Sequence, residues 1–200
     1  MTRFGLKASV LIAAVLLAAV HASAATWTVD ASHSSAQFSV RHMMVSTVRG
    51  EFAKVSGSVE LDENNLAASR VEATIDVNSV DTREPKRDAH LKSPDFFDAA
   101  NFPTATFKST KVEKAGAGYK VTGDLTLRGV TKPVVMEVDA LSPQIKDQGG
   151  NLRTGTSARF KVNRKDFGVN WSRTLDSGGL VVSDEVAINI DVELIQRKQP

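Results

Sequence analysis

"VEATIDV", residues 71–77, alternates without a break: Val71, Ala73, Ile75 and Val77 fall on one face, and Glu72, Thr74 and Asp76 on the other. A period of two is the pattern of a half-buried strand, because successive side chains leave a pleated backbone on opposite sides. The same period recurs in "AQFSVRH" (Phe38, Val40, His42), "YKVTGDLTLR" (Tyr119, Val121, Leu125, Leu127), "PVVMEV" (Val134, Met136, Val138), "SARFKV" (Ala158, Phe160, Val162) and "VAINIDVEL" (Val186, Ile188, Ile190, Val192). Turn-forming runs lie between these segments: "DENN" at 62–65, "KAGAG" at 114–118, "GVTKP" at 129–133, "KDQGG" at 146–150 and "DSGG" at 176–179. Short connections of this kind join antiparallel neighbours, so the expectation is an all-β chain. Periodicity alone leaves a sandwich and a closed barrel both open.

One stretch interrupts the alternation. In "RDAHLKSPDFFDAANFP" (87–103) Ser93 is a candidate N-cap, Pro94 suits the first helical position, and Asp95 complements the positive end of a helix. The spacing predicts a short helix from about 94 that ends before Pro103. Upstream, "TREPKRDAHLK" is also helix-compatible, with Asp81 or Thr82 as its cap. The expectation is one or two brief helices over 82–99, crossing between strands.

The chain opens with Arg3 and Lys7, the apolar run "ASVLIAAVLLAAV" (8–20) and "HASA" (21–24), the pattern of a secretory signal cleaved after Ala24. The run is shorter than the ~20 residues a spanning helix needs. Residues 1–24 are therefore expected to direct export, and 25–200 to form one domain. Loss of the leader removes two basic residues and no acid, leaving 23 basic against 23 acidic residues in place of the formal charge of +2. With charges balanced and interleaved, no basic stripe suggests a nucleic-acid partner. There is no cysteine, so stability must come from burial rather than disulfides.

Catalytic patterns are sparse. No Cys nucleophile and no G-x-S-x-G turn is present, and "SGG" at 177–179 lacks the Lys-Ser/Thr of a phosphate loop. His33, His42 and His90 match no standard ligand spacing, so no metal is expected. Asp88, Asp95 and Asp98, with His90, form the one acidic group dense enough for hydrolytic chemistry on a lipid head group or sugar. Helix capping and salt bridges account for the same residues. What remains is apolar payload, and a barrel of about eight strands can hold one small ligand among such residues.

Particular strings carry a resemblance: "WTVDASHSSAQFSVRH" (27–42), "VRGEF" (48–52), "TREPKRDAHLKSPDFFDAANFPTATFKS" (82–109), "VTGDLTLRGVTKPV" (121–134) and "NRKDFGVNW" (163–171). Together they resemble the YceI-like family of bacterial polyisoprenoid-binding proteins over essentially all of 25–200. The resemblance implies a lipocalin-like antiparallel barrel whose pore holds an isoprenoid lipid of the polyprenyl phosphate or isoprenoid quinone type. It also implies a periplasmic, often dimeric protein with no catalytic activity and no cofactor, and in some members a link to a membrane cytochrome. On this reading Phe38, Val40, His42, Phe107, Leu125, Leu127, Met136 and Phe160 face inward, and Phe97, Phe167 and Trp171 stand near an entrance. Their role would be to bind lipid for transport, storage or sequestration.

Overall fold

The alternating segments pair antiparallel into one sheet that closes on itself. The structure is a computed structural model and describes residues 25–62, 64–174 and 179–197; the expected leader and most of the "DSGG" turn lie outside them. The elements are β1 (Ala25–Val29), β2 (Ser35–His42), β3 (Ser46–Phe52), β4 (Val55–Leu61), β5 (Arg70–Asp76), β6 (Val80–Asp81), α1 (Pro85–Lys92), β7 (Thr104–Ala115), β8 (Gly118–Leu127), β9 (Val130–Val138), β10 (Ile145–Lys146), β11 (Leu152–Asn163) and β12 (Val182–Gln196).

Three strands are bent into two legs. β1 and β2 both lie antiparallel to β12, at Thr28↔Ile195 and from Ser35↔Asp191 onward. β4 and β3 follow them as the next pair of legs, and β5 and β6 as the third. Local polar side chains make two of the bends: Asp30 Oδ1 accepts from Ser32 N at 3.0 Å, and Asp76 Oδ1 accepts from Asn78 N at 2.9 Å. Such Asx turns let the backbone leave the ladder while its N–H groups stay bonded. Counting each bent pair as one gives eight strands, each beside its predecessor, with β12 sealed to β11 on one side and to β1 and β2 on the other. Residues 25–196 supply every pairing in that closure.

Turn chemistry explains where the hairpins fall. Arg128 (φ 50°) and Gly129 (φ 72°) form the two-residue turn between β8 and β9, so "VTKP" already belongs to β9 and Pro133 pairs with Asp124. β9 pairs with β11 only at Glu137 and Val138, so Pro133 sits where one side of the strand has no ladder to lose. The β2–β3 turn places Met43 (φ 50°) and Met44 (φ 63°) in the left-handed region, with Val45 N donating to His42 O at 3.1 Å. For residues other than glycine that conformation costs about 1–2 kcal/mol each.

The helix lies upstream of the "SPDF" start. α1 is capped by Glu84, whose carboxylate accepts from Lys86 N at 3.2 Å, and Pro85 occupies its first turn. Asp88 Oδ1 accepts from Thr82 N (2.9 Å) and Thr82 Oγ1 (2.5 Å), and Arg87 Nη2 donates to Thr82 O at 2.8 Å, fixing where the helix starts. Ser93 is its C-cap: the hydroxyl donates to His90 O at 2.8 Å, and Pro94 then prevents continuation. Residues 94–97 are turns, not a second helix.

Candidate functional site

The closed wall encloses an apolar cavity of about 440 Å³, within the ~300–1,000 Å³ of small-molecule sites. It runs along the barrel because alternation turns every second residue inward: Val71, Ala73 and Ile75 from β5, Phe107 from β7, Met136 from β9, and Ile188 and Ile190 from β12 all line it. Two rings owe their positions to glycines. A Cβ at Gly50 would sit 2.5 Å from Phe38 Cζ, and one at Gly123 would sit 2.4 Å from Phe107 Cζ, so each ring lies against bare backbone.

Of the residues expected in the site, Phe38, Val40, His42, Phe107, Leu125, Leu127, Met136 and Phe160 line the cavity from the strands, and Phe97 and Trp171 line it from the end loops. Phe167 does not. It belongs to the 3-10 turn Arg164–Phe167, is 2% exposed, and packs with Val134 and Met136 where β9 and β11 part. A splayed pair of strands leaves a gap that a large side chain must fill, so Phe167 plugs the wall rather than lining the lumen. The strip of β12 shows the same alternation as the expected strands, whereas Arg87, His90 and Leu91 come from α1 and Phe96 from the turn after it, where no strand periodicity points to them.

At the helical end the wall becomes aromatic and polar. Phe38 meets Phe52 at 5.7 Å between centroids, and Phe52 meets Phe97 at 5.5 Å. The His90 ring stands edge-on to Phe96 (4.9 Å) and Trp171 (5.4 Å), and its Nε2 donates to Asp95 Oδ2 at 2.8 Å. Arg164, 6% exposed, donates to the carbonyls of Val169 and Trp171 (both 2.7 Å) and to Asp184 Oδ1 at 3.1 Å, tying the 164–171 segment to the start of β12 at the barrel end. Burial pushes its guanidinium pKa down, and Asp184 opposes that shift. At the opposite end, Leu61, Leu66, Val112 and Tyr119 pack together, with Lys114 Nζ 4.2 Å from the Tyr119 centroid.

The acidic group of the helical segment is engaged in local bonds. Asp88 holds Thr82, Asp95 holds His90, and Asp98 (φ 50°) accepts from Asn101 Nδ2 at 3.0 Å on both oxygens. A second cluster was not legible in the sequence: Asp30, His33 and Glu193 bring ligand atoms within 4.8 Å of one another. A cation already sits among them, since Arg153 bridges Asp30 (2.8 Å), Glu193 and Asp147 (2.9 Å). Hydrogen bonds from Ser32, then His33 and Arg153, hold the Asp30 carboxyl well below the usual range. Asp30 in turn raises the His33 pKa, and Arg153 lowers Asp147 to about 2.

Fold and cavity define the class: a closed eight-stranded antiparallel barrel with an apolar lumen and a helical segment over one end. The chain belongs to the YceI-like family, whose domain matches residues 27–194. It is 40% identical over 189 residues to Protein YceI of Salmonella newport, covering 94% of this chain and 95% of that protein, and 40% identical to a UPF0312 protein of Yersinia pestis over the same shares. Among solved structures it resembles Burkholderia cenocepacia BcnA (TM-score 0.70, 28% identity, 82% of this chain and 98% of that one). It also resembles the Campylobacter jejuni YCEI protein (TM-score 0.65, 32% identity, 79% and 90%). A polyisoprenoid binding domain from Saccharophagus degradans shares the fold at 19% identity (TM-score 0.61, 87% and 99%).

Proposed function

We propose that this protein, delivered to the periplasm by residues 1–24, is a carrier that holds the tail of an isoprenoid lipid, of the polyprenyl phosphate or isoprenoid quinone type, inside its barrel. The observation that carries the reading is the continuous apolar lumen, lined from the β5 strip at one side to the β12 strip at the other. Each buried methylene is worth about 0.8 kcal/mol, so a five-carbon isoprene unit contributes about 4 kcal/mol before ordering costs. Affinity for a long tail then needs few polar contacts. The fringe of Arg87, His90 and Trp171 is where a head group keeps its hydrogen bonds, since burying it unpaired would cost several kcal/mol. The fold shared with the Saccharophagus degradans domain, described as polyisoprenoid binding, supports the same class of ligand. The bonds that occupy Asp88, Asp95 and Asp98 favour binding over hydrolysis.

Organic extraction of protein purified from its own host, followed by mass spectrometry, tests this. One long-chain isoprenoid near one per barrel is expected. Recovery of no stoichiometric amphiphile would sink the proposal.

A further inference from the structure

The β2–β3 hairpin tip is built against two ordinary rules at once. Its side chains are apolar but exposed, with Met43 at 43%, Met44 at 60% and Val45 at 78%, and Met43 and Met44 hold a left-handed backbone that Asn-Gly would adopt without strain. Among the described residues the other exposed large apolar side chains are Val135 and Ile145, elsewhere on the barrel, so the tip is a concentrated patch. It stands at the helical end of the cavity: His42 and Val48 on its stem line the lumen, and Met43 N donates to the carbonyl of Val181, another lining residue, at 2.8 Å.

The charge within the hairpin has one sign, and the nearby acids Asp184 and Glu185 of β12 are taken by Lys165 and Lys161. From Val40 to Gly50 the hairpin carries Arg41 and Arg49 and no acid. Cross-strand register, Arg41 with Thr47 and Ser39 with Arg49, places both arginines on the outward face. Neither forms an ion pair among the described residues, and Arg41 reaches over the tip to donate to Met44 O at 2.8 Å and Thr47 Oγ1 at 3.0 Å. A short apolar point backed by unneutralised arginines is complementary to an anionic bilayer, whose head groups take the charge while the acyl boundary takes the side chains.

We propose that Met43, Met44 and Val45 insert into an anionic lipid surface and set the helical end of the barrel against it. The role of docking, bringing the lumen to a lipid source, rests on the carrier reading. The test does not, because it reads attachment to vesicles and not the contents of the barrel. The chain starting at Ala25 is used, since residues 25–196 close the barrel and the apolar 8–20 run would bind vesicles by itself.

Co-sedimentation at 0.1 M salt with vesicles of phosphatidylglycerol and phosphatidylethanolamine should retain the protein, and phosphatidylcholine vesicles should not. The double substitution Met43→Asn with Met44→Gly relieves the backbone strain while removing two of the three apolar side chains of the tip. It should weaken vesicle binding at least about tenfold, or about 1.4 kcal/mol, while leaving the melting temperature unchanged or raised. Arg41→Gln with Arg49→Gln should weaken it on the order of thirtyfold and flatten its salt dependence. Absence of binding to anionic vesicles, or binding that ignores both variants, overturns the proposal and leaves the carrier reading standing. So does light scattering that shows the tip joining two copies, with the Asn-Gly variant converting a dimer to a monomer and no vesicle binding in either.

Discussion

Replacing Arg164 with methionine keeps a long apolar stem and removes the guanidinium that ties the cap to the barrel. The lost bonds run to the carbonyls of Ser183 (3.0 Å), Val169 and Trp171 and to Asp184. At about 1.5–3 kcal/mol for each bond to a charged group, simple addition would equal the whole stability of a typical domain. It overshoots because the variant is also relieved of a buried charge whose desolvation offsets much of the gain. Breaking a buried pair costs about 3–5 kcal/mol. Asp184 keeps Lys165 Nζ at 2.9 Å, so the low end applies and the expected loss is about 3 kcal/mol. With a urea slope of about 2 kcal/mol/M, the unfolding midpoint should fall by about 1.5 M at unchanged slope. Trp171 emission should shift red as its carbonyl tether is lost, while Trp27, 3% exposed in β1, supplies a fixed background. A loss under about 1 kcal/mol with unaltered emission would refute the reasoning and assign the cap to packing alone.

Wall and plug should separate under mutation. Phe167→Ala should cost about 3–5 kcal/mol without changing which amphiphile length is recovered. Leu125→Trp, on the lumen side, should leave unfolding within about 1–3 kcal/mol of the parent but lower the lipid recovered per barrel, measured by extraction. The Arg153 network gives a pH signature. His33 is raised above 6.5, first by its bond to Asp30, so its stabilisation is full below the unfolded value and fades as pH rises through the folded one. Asp147, at about 2, contributes above its unfolded value near 4 and loses that contribution as pH falls toward 2. NMR titration should find the His33 pKa above 6.5 and returned toward it by Asp30→Asn; an unmoved value would contradict the contact.

Strand identity was legible because period two survives in any half-buried sheet, and the faces read from residues 71–75 and 119–127 are the faces that line the lumen, whereas Val77 opens a 3-10 turn beyond β5 and does not line it. Closure was not, since it depends on β12 meeting β1, β2 and β11 across long stretches of chain, and no local pattern encodes that meeting. The bends escaped for a related reason: two are Asx turns, at Asp30 and Asp76, and the third, at Ala53 and Lys54, is held by Ser79 from another bend, all inside what alternation treats as separate strands. The helix was displaced because "EPKR" and "SPDF" both offer a cap followed by proline. The bonds from Thr82 to Asp88 and from Arg87 back to Thr82 decide between them, and those form only once the chain is folded. Phe167 was misplaced because its segment has no period, so hydrophobicity alone could not distinguish a plug from a lining residue.

The order of the strands also has a consequence in time. The seam is sealed by β12, the last fifteen residues of the sheet to be synthesised, which pair with both the first strands and β11. Until Val182–Gln196 is in place the wall has two open edges and no lumen, so nothing can be enclosed by a partly made chain. Cargo must be taken up by the finished barrel. A truncation that removes the C-terminal strand therefore loses the compartment entirely, not one side of it.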